Sequence, residues 1–277
     1  LLRYAIAYVT EDTGLEKHVM RYPQVFATKA IETRLEAGTR KGIVWHTQGS
    51  GKTALAFYNV RHLTDYFTAR AVVPKFYFII DRIDLLTQAR DEFQNRGLIV
   101  HTIDSRDAFS ADIKSTEAIH NDSGNAEITV VNIQKFKDDP SLTQSSDYAL
   151  NIQRIYFLDE VHRSYNPKGS FLANLELSDP KAIKIGLTGT PLLNAKLDKE
   201  TKYNSRTLFG DYLHKYYYNA SIADGYTLRL IREGIETSYQ AQLQEILDQI
   251  KVQKGDIDRK EIYAHASFVT ALLDYII

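Results

Sequence analysis

Six stretches of this 277-residue chain are runs of apolar, β-branched and aromatic residues, most of them uninterrupted. They are KGIVWH (41–46), PKFYFIID (74–81), GLIVHTID (97–104), AEITVVNIQKF (126–136), IQRIYFLDE (152–160) and KAIKIGLTGT (181–190). A strand with one wet face alternates apolar and polar residues, whereas a strand covered on both faces does not. Helical patterns lie between several of the runs, at 52–66 and 84–95 among others. Strands alternating with helices build βαβ units, and such units make a parallel sheet. The expected fold is therefore α/β, a parallel sheet flanked by helices. Ligands of such sheets sit beyond the carboxyl ends of the strands. Three polar clusters fall there: Gln48-Gly49-Ser50-Gly51, Asp159-Glu160 and Thr188-Gly189-Thr190. Together on one edge of one sheet, they predict a site.

The first cluster lies in GIVWHTQGSGKTALAF, 42–57. An apolar run turns through glycines and a helix opens at Lys52. Backbone N–H groups in such a loop converge on phosphates, and the helix N-terminus adds the positive end of its dipole. Lysine reaches the β- and γ-phosphate oxygens, and the Thr hydroxyl ligates Mg²⁺. The expected phosphate and metal contacts are Gln48, Gly49, Ser50, Gly51, Lys52 and Thr53. The pattern G-x-x-x-x-G-K-[ST] places glycine at position 46, where this chain has His46. The plainer reading of the stretch is a glycine turn before a helix, with an exposed lysine.

LDEVH, 158–162, puts two carboxylates straight after a strand. Asp159 in that position can hold the phosphate-bound Mg²⁺. Glu160 can orient or deprotonate an attacking water. Adjacent carboxylates are costly to place without a cation nearby. Taken alone, the pair also fits a solvated strand–loop junction. In LTGTP, 187–191, the hydroxyls of Thr188 and Thr190 flank a glycine. They suit a β-turn, or a pair that senses a loaded site through His162.

Composition is that of a globular protein, 44% hydrophobic and 25% charged. The length suits one large domain or one and a fraction. A net charge of −1 neither announces nor excludes a nucleic-acid partner, which would need a local basic groove. With no cysteine, disulfides and thiolate metal sites are impossible. No apolar run approaches the length of a membrane-spanning helix. LLRYAIAYVTEDTG at the start lacks the basic opening and cleavage site of a signal peptide. It also lacks an initiator Met, so the chain is expected to be cut from something longer. Around 197–235 the pattern loosens, and HKYYYNASIADGY mixes aromatic and polar residues without a clean period. Residues 240–252 read as an amphipathic helix, and HASFVTALLDYII (265–277) opens another.

In chain order, the Gly-Lys-Thr loop, Asp-Glu-x-His and Thr-Gly-Thr-Pro resemble motifs I, II and III of superfamily 2 helicases and translocases. MRYPQVFA, 20–27, resembles their adenine-reading glutamine motif, with Gln24 as the glutamine and Tyr22 beside it. Pro23 departs from the His expected before the glutamine. WHTQGSGKT, FIIDRIDLLTQ (78–88), VVNIQKF (130–136), FLDEVHRS (157–164) and GLTGTPLL (186–193) are similar to the motor of type I restriction enzyme R subunits. So is the tail FGDYLHKYYYNASIADGYTLRLIREGIET, 209–237. That family tolerates histidine at the place of His46. The resemblance covers nearly the whole chain.

The resemblance implies a RecA-like fold that uses ATP and Mg²⁺. Lys52, Asp159 and Glu160 would be catalytic, Gln24 and Tyr22 would join the loop in holding nucleotide, and His162, Thr188 and Thr190 would couple. Arg82, Asn132, Gln134 and Lys135 would face DNA. Residues 1–225 would be the first RecA-like domain, with an N-terminal helical lead-in. Residues 226–277 would be a connecting segment and the truncated start of a second such domain. The arginine that completes the ATP site would lie beyond Ile277. R subunits hydrolyse ATP to pull duplex DNA past a fixed complex before cutting it, and they work with modification and specificity subunits in a bacterial or archaeal cytoplasm, away from any membrane. Their cutting domain precedes the motor, and no Asp…Glu-x-Lys constellation precedes the Gly-Lys-Thr loop here. The chain alone is therefore expected to show little or no ATPase and no nuclease activity.

The alternatives are another superfamily 2 DNA or RNA helicase or repair translocase, a P-loop kinase or other small-molecule transferase, and an inert scaffold. DRIDLLTQ and YYYNASIADG fit the restriction family better. A kinase has no need of LTGTP. Intact Lys52, Thr53, Asp159 and Glu160 argue against a scaffold.

Overall fold

The computed structural model describes residues 2–132, 151–161, 175, 179–193, 195–196, 202–229, 241, 243–249 and 264–276. His162, Gln134 and Lys135 lie outside the described residues. Contacts divide the chain into two units, Leu1–Leu228 and Arg229–Ile277. In the second unit, residues 243–249 are helical and a helix spans Ala266–Ile276.

The first unit is built on a seven-stranded sheet. Its strands are β3 (Lys41–His46), β4 (Val73–Ile80), β5 (Ile99–Ile103), β6 (Glu127–Asn132), β7 (Ile152–Asp159), β8 (Ile183–Thr188) and β11 (Tyr212–Tyr216). Their order across the sheet is β11-β3-β8-β7-β4-β6-β5, and every neighbouring pair is parallel. The six runs read from sequence are six of these strands. The helices are α1 (Tyr22–Glu36), α2 (Lys52–Thr68), α3 (Asp84–Asn95), α4 (Arg106–Lys114), α5 (Ser205–Phe209) and α6 (Tyr218–Ala223). A two-stranded pair, β9 (Ala195–Lys196) with β10 (Lys202–Tyr203), stands apart from the sheet.

The lack of alternation has a direct cause: every residue of β6 and of β8 is buried. Val44, Phe78, Val130, Phe157 and Leu187 pack on one face with Ile31 of α1, Leu55 of α2 and Phe93 of α3. Ile43, Tyr77, Val131, Tyr156 and Leu158 pack on the other with Phe109 of α4 and Phe209 of α5. Each such side chain contributes about 1.5–3 kcal/mol by leaving water. Lys75 of β4, Arg154 of β7 and Lys184 of β8 are buried with partners. Arg154 pairs with Asp179, and Lys184 Nζ donates to the Asp179 carbonyl at 2.9 Å.

Two elements differ from expectation. The lead-in is helical only over a short 3-10 turn (Leu2–Tyr4), after which β1 (Ile6–Glu11) and β2 (Gly14–Val19) form an antiparallel hairpin before α1. Ala7 and Val9 are buried while Ile6 and Tyr8 are exposed, a period of two that marks a strand with one covered face. The loosened region holds β11. Its YLHKY sequence is only half-buried because it is an edge strand, so aromatic and polar residues share it.

Candidate nucleotide site at the carboxyl ends of the strands

β3 ends at His46, the chain turns through Thr47–Gly51, and α2 begins at Lys52. Gly49 and Gly51 have φ of 76° and 77°, the left-handed region that glycine occupies without strain. A Cβ on Gly51 would lie 2.6 Å from Gln24 Nε2. The loop is braced from three sides. Thr47 N donates to the Tyr216 carbonyl (3.0 Å), and Ser50 Oγ donates to the Thr47 carbonyl (2.6 Å). Gln24 Nε2 donates to the Gly51 carbonyl (2.9 Å), and Arg21 Nη1 donates to the Gly49 carbonyl (3.1 Å). No side chain caps the N-terminus of α2. Its first N–H groups have no partner within the helix, and with the dipole they make a seat for an anion.

Asp159 closes β7, and Glu160 follows with φ of 48°. A non-glycine residue held there is a strained one. Lys52 Nζ lies 3.7 Å from Glu160 Oε1, with the two side chains 9% and 28% exposed. A cleft of about 330 Å³ is lined by Gln48, Gly49, Gly51, Lys52, Thr53, Asp159 and Glu160. These residues lie far apart in sequence and converge because β3 and β7 run the same way in one sheet. Ser50 is buried beneath the loop and does not line the cleft. The opposite wall is Phe78 and Ile80 of β4 with Leu85, Gln88, Ala89 and Glu92 of α3. Sequence reasoning did not single out this wall, although Leu85, Gln88, Ala89 and Glu92 share one face by helical spacing. Burial pushes the Glu92 carboxyl up, and Arg96, 3.4 Å away, partly opposes that.

Thr188 is fully buried at the end of β8, level with Trp45 of β3. Thr190 N donates to Thr188 Oγ1 at 3.1 Å, and Trp45 Nε1 donates to the Gly189 carbonyl at 3.1 Å. A Cβ on Gly189 would meet Gln48 N at 3.2 Å and the His46 carbonyl at 3.3 Å. The Thr-Gly-Thr turn therefore leans on the backbone of the phosphate-type loop. The partner expected to link it to the site, His162, lies outside the described residues.

His46 has a local explanation. It is the last residue of β3, fully buried, with Nε2 2.7 Å from His214 Nδ1 of β11. Its side chain packs under the edge strand, and the position needs no positive φ. Burial, then His214 and Lys52, draw its pKa down to about 3. The ring is neutral at physiological pH and adds no charge beside Lys52.

Gln24 is buried and its amide is engaged at both ends, Oε1 accepting from Arg21 N at 2.8 Å. Tyr22 is half-exposed and donates to Asp224 Oδ2 at 2.5 Å, as does Tyr216. That hydrogen bond raises the Tyr22 pKa, and the two tyrosines lower that of Asp224. The Arg21 guanidinium lies 4.4 Å from the centre of the Tyr226 ring. Arg21, His214 and Tyr226 were not foreseen, since their roles depend on β11 lying beside β3.

The expected DNA-facing residues divide. Arg82 is exposed and paired with Asp84 (Nε–Oδ1 3.1 Å). Asn132 is fully buried at the end of β6, where a covered strand leaves no side chain at the surface. Gln134 and Lys135 lie outside the described residues. Among the described residues, no helix is long and apolar enough to cross a membrane.

An all-parallel sheet with a glycine loop and a carboxylate pair at its carboxyl edge defines a RecA-like P-loop ATPase domain. The SWI2/SNF2 ATPase family profile matches residues 23–262, and the chain belongs to that family. A Methanocaldococcus jannaschii protein named as a type I restriction enzyme endonuclease subunit is 27% identical over 266 residues, covering 88% of this chain and 25% of the relative. A type I restriction enzyme endonuclease subunit of Staphylococcus saprophyticus is 25% identical over 263 residues, covering 94% of this chain and 25% of its own. The chain thus spans about a quarter of the length of these relatives. The ATP-dependent Type ISP restriction-modification enzyme LlaBIII bound to DNA shares the fold, with a TM-score of 0.53 at 12% identity over 78% of this chain and 16% of that one. The similarity to type I R subunits implied by the motifs is therefore present along most of the sequence.

Proposed function

We propose that the chain is the nucleotide-binding part of a DNA-translocating motor in a type I restriction endonuclease R subunit. Residues 1–225 are the first RecA-like domain, and 226–277 lead into a second. The observation that carries this reading is the cleft where Lys52 and Thr53 meet Asp159 and Glu160, with Lys52 3.7 Å from Glu160. ATP and Mg²⁺ fit these residues: the α2 N-terminus lacks a cap, a lysine stands at its first turn, and the facing donors are hard oxygens. Thr53 and Asp159 would hold the Mg²⁺, which would supply positive charge against that developing on the phosphates. Lys52 orients the phosphates. Glu160 receives a proton from the attacking water. Gln24 and Arg21 keep the loop in shape. Thr188 and Thr190 couple the loop to the rest of the motor, together with His162.

In the intact protein, hydrolysis would drive movement along duplex DNA before cleavage, beside modification and specificity subunits in a bacterial or archaeal cytoplasm. Among the described residues, no arginine lines the cleft. An arginine that stabilises the transferring phosphoryl group is worth about 10³- to 10⁵-fold in rate. In this reading it comes from outside the 277 residues, so the chain alone binds nucleotide weakly and hydrolyses it negligibly. A steady-state ATPase assay with and without duplex DNA tests this. Robust DNA-dependent turnover by the 277-residue chain would overturn the domain assignment.

A further inference from the structure

On the α4 side of the sheet, away from the nucleotide cleft, three side chains from three short segments converge. His101 lies in β5, His120 in the connection between α4 and β6, and Glu127 opens β6. One ligand atom from each lies within 4.8 Å of the others. Glu127 Oε1 is 2.8 Å from His120 Nδ1, and Glu127 Oε2 is 3.3 Å from His101 Nε2. Tetrahedral ligands at Zn–N and Zn–O distances near 2 Å stand about 3.4 Å apart. We propose that His101, His120 and Glu127 form a Zn²⁺ site, with Asp112 orienting His120.

The surroundings of His120 support this assignment. Its Nδ1 faces Glu127, and its Nε2 faces Asp112 Oδ1 at 2.6 Å. Ionised carboxylates only accept hydrogen bonds, so the ring must present a proton or a cation to each. A metal on Nδ1 with a proton on Nε2 meets both demands. A carboxylate behind a ligating histidine is the usual outer partner of such a site, fixing tautomer and ring orientation. Asp112 is itself held, by Lys75 Nζ at 2.9 Å and Tyr77 OH at 2.7 Å. Glu127 is aimed by the His120 N–H and by Asn121 Nδ2 at 2.6 Å. The donors are two imidazoles and one carboxylate, a set that suits Zn²⁺ and not the oxygen-only preferences of Mg²⁺ or Ca²⁺. The His101 side chain is one-third exposed, which leaves a fourth position for water. The site would staple the edge strand β5 to the segment before β6.

The test uses the tag-free 277-residue chain, stripped with EDTA and titrated with ZnCl₂ by calorimetry, with melting followed in parallel. One Zn²⁺ per chain and a raised melting temperature are expected. Co²⁺ in its place should give the visible absorption of a tetrahedral N/O site. Asp112→Asn should weaken Zn²⁺ binding about 10- to 100-fold. His101→Gln should weaken it further, with the metal-free melting temperature close to wild type; because the His101 side chain is the most exposed of the three, this variant decides if Asp112→Asn does not fold. Absence of stoichiometric Zn²⁺, or Zn²⁺ affinity unchanged in His101→Gln, overturns the site. Displacement of Zn²⁺ by millimolar Mg²⁺ also overturns it, because that places the ion at the carboxylates of the nucleotide cleft.

Discussion

Glu160 combines a proposed chemical role with a backbone conformation that its side chain disfavours, and substitution can separate the two. At φ of 48°, an L-residue with a Cβ costs about 1–2 kcal/mol relative to a right-handed conformation. Glu160→Ala keeps that cost, and Glu160→Gly removes it. Glycine gives back about 0.4–1 kcal/mol through its freer unfolded chain. Glu160→Gly should therefore be about 1 kcal/mol more stable than Glu160→Ala. In a unit of this size that is a difference of about 2–4 °C in melting temperature. Both variants lose the Lys52 ion pair equally. That pair is partly exposed, its contribution is under about 1 kcal/mol, and it cancels in the comparison. Differential scanning fluorimetry at pH 7.5 without nucleotide reads the difference. Equal melting temperatures, or a lower one for the glycine variant, would refute the strain. Both should be inactive in the full-length protein, so the stability gain would come with loss of function.

Lys52→Ala should abolish most affinity for MgADP by calorimetry with an unchanged circular dichroism spectrum; undiminished affinity would remove the loop from the site. Asp159→Asn should weaken nucleotide binding in Mg²⁺ but not in EDTA, whereas Glu160→Gln should bind MgATP normally and fail to turn it over in the full-length protein. His46, drawn down to about 3 by burial, should make stability depend on pH. Its contribution is complete above its unfolded pKa of about 6.5 and is lost as pH falls toward 3, by up to about 1.4 kcal/mol per unit. Urea unfolding at pH 7.0 and 5.5 should show a smaller loss for His46→Asn than for the wild type, and parallel losses would exclude this source.

Much of this architecture was legible because covered parallel strands write themselves as apolar runs. The helix at 84–95 was bounded as observed, since Asp84 opens it and an apolar face follows. The glycine loop and Asp159-Glu160 could be read because their residue types are tied to backbone geometry and charge at strand ends. The hairpin at 6–19 was missed because only Ala7 and Val9 carry its buried face. β11 was missed because an edge strand needs no continuous apolar run. The bracing by Arg21 and the cluster around His120 depend on chain crossings that bring distant single residues together, and no local pattern records those.

The strap from β11 to Tyr226 has a mechanical consequence. Thr47 hangs from the Tyr216 carbonyl, Tyr22 and Tyr216 both clasp Asp224, and Arg21 touches Tyr226 while holding Gly49. The polypeptide leaving this unit therefore runs past the glycine loop under several short tethers. Tension along the outgoing chain arrives at Gly49 through one guanidinium, and at Thr47 through one backbone hydrogen bond. The tethers act as a load path, along which a tug on the exit strand and a change in loop shape become the same displacement.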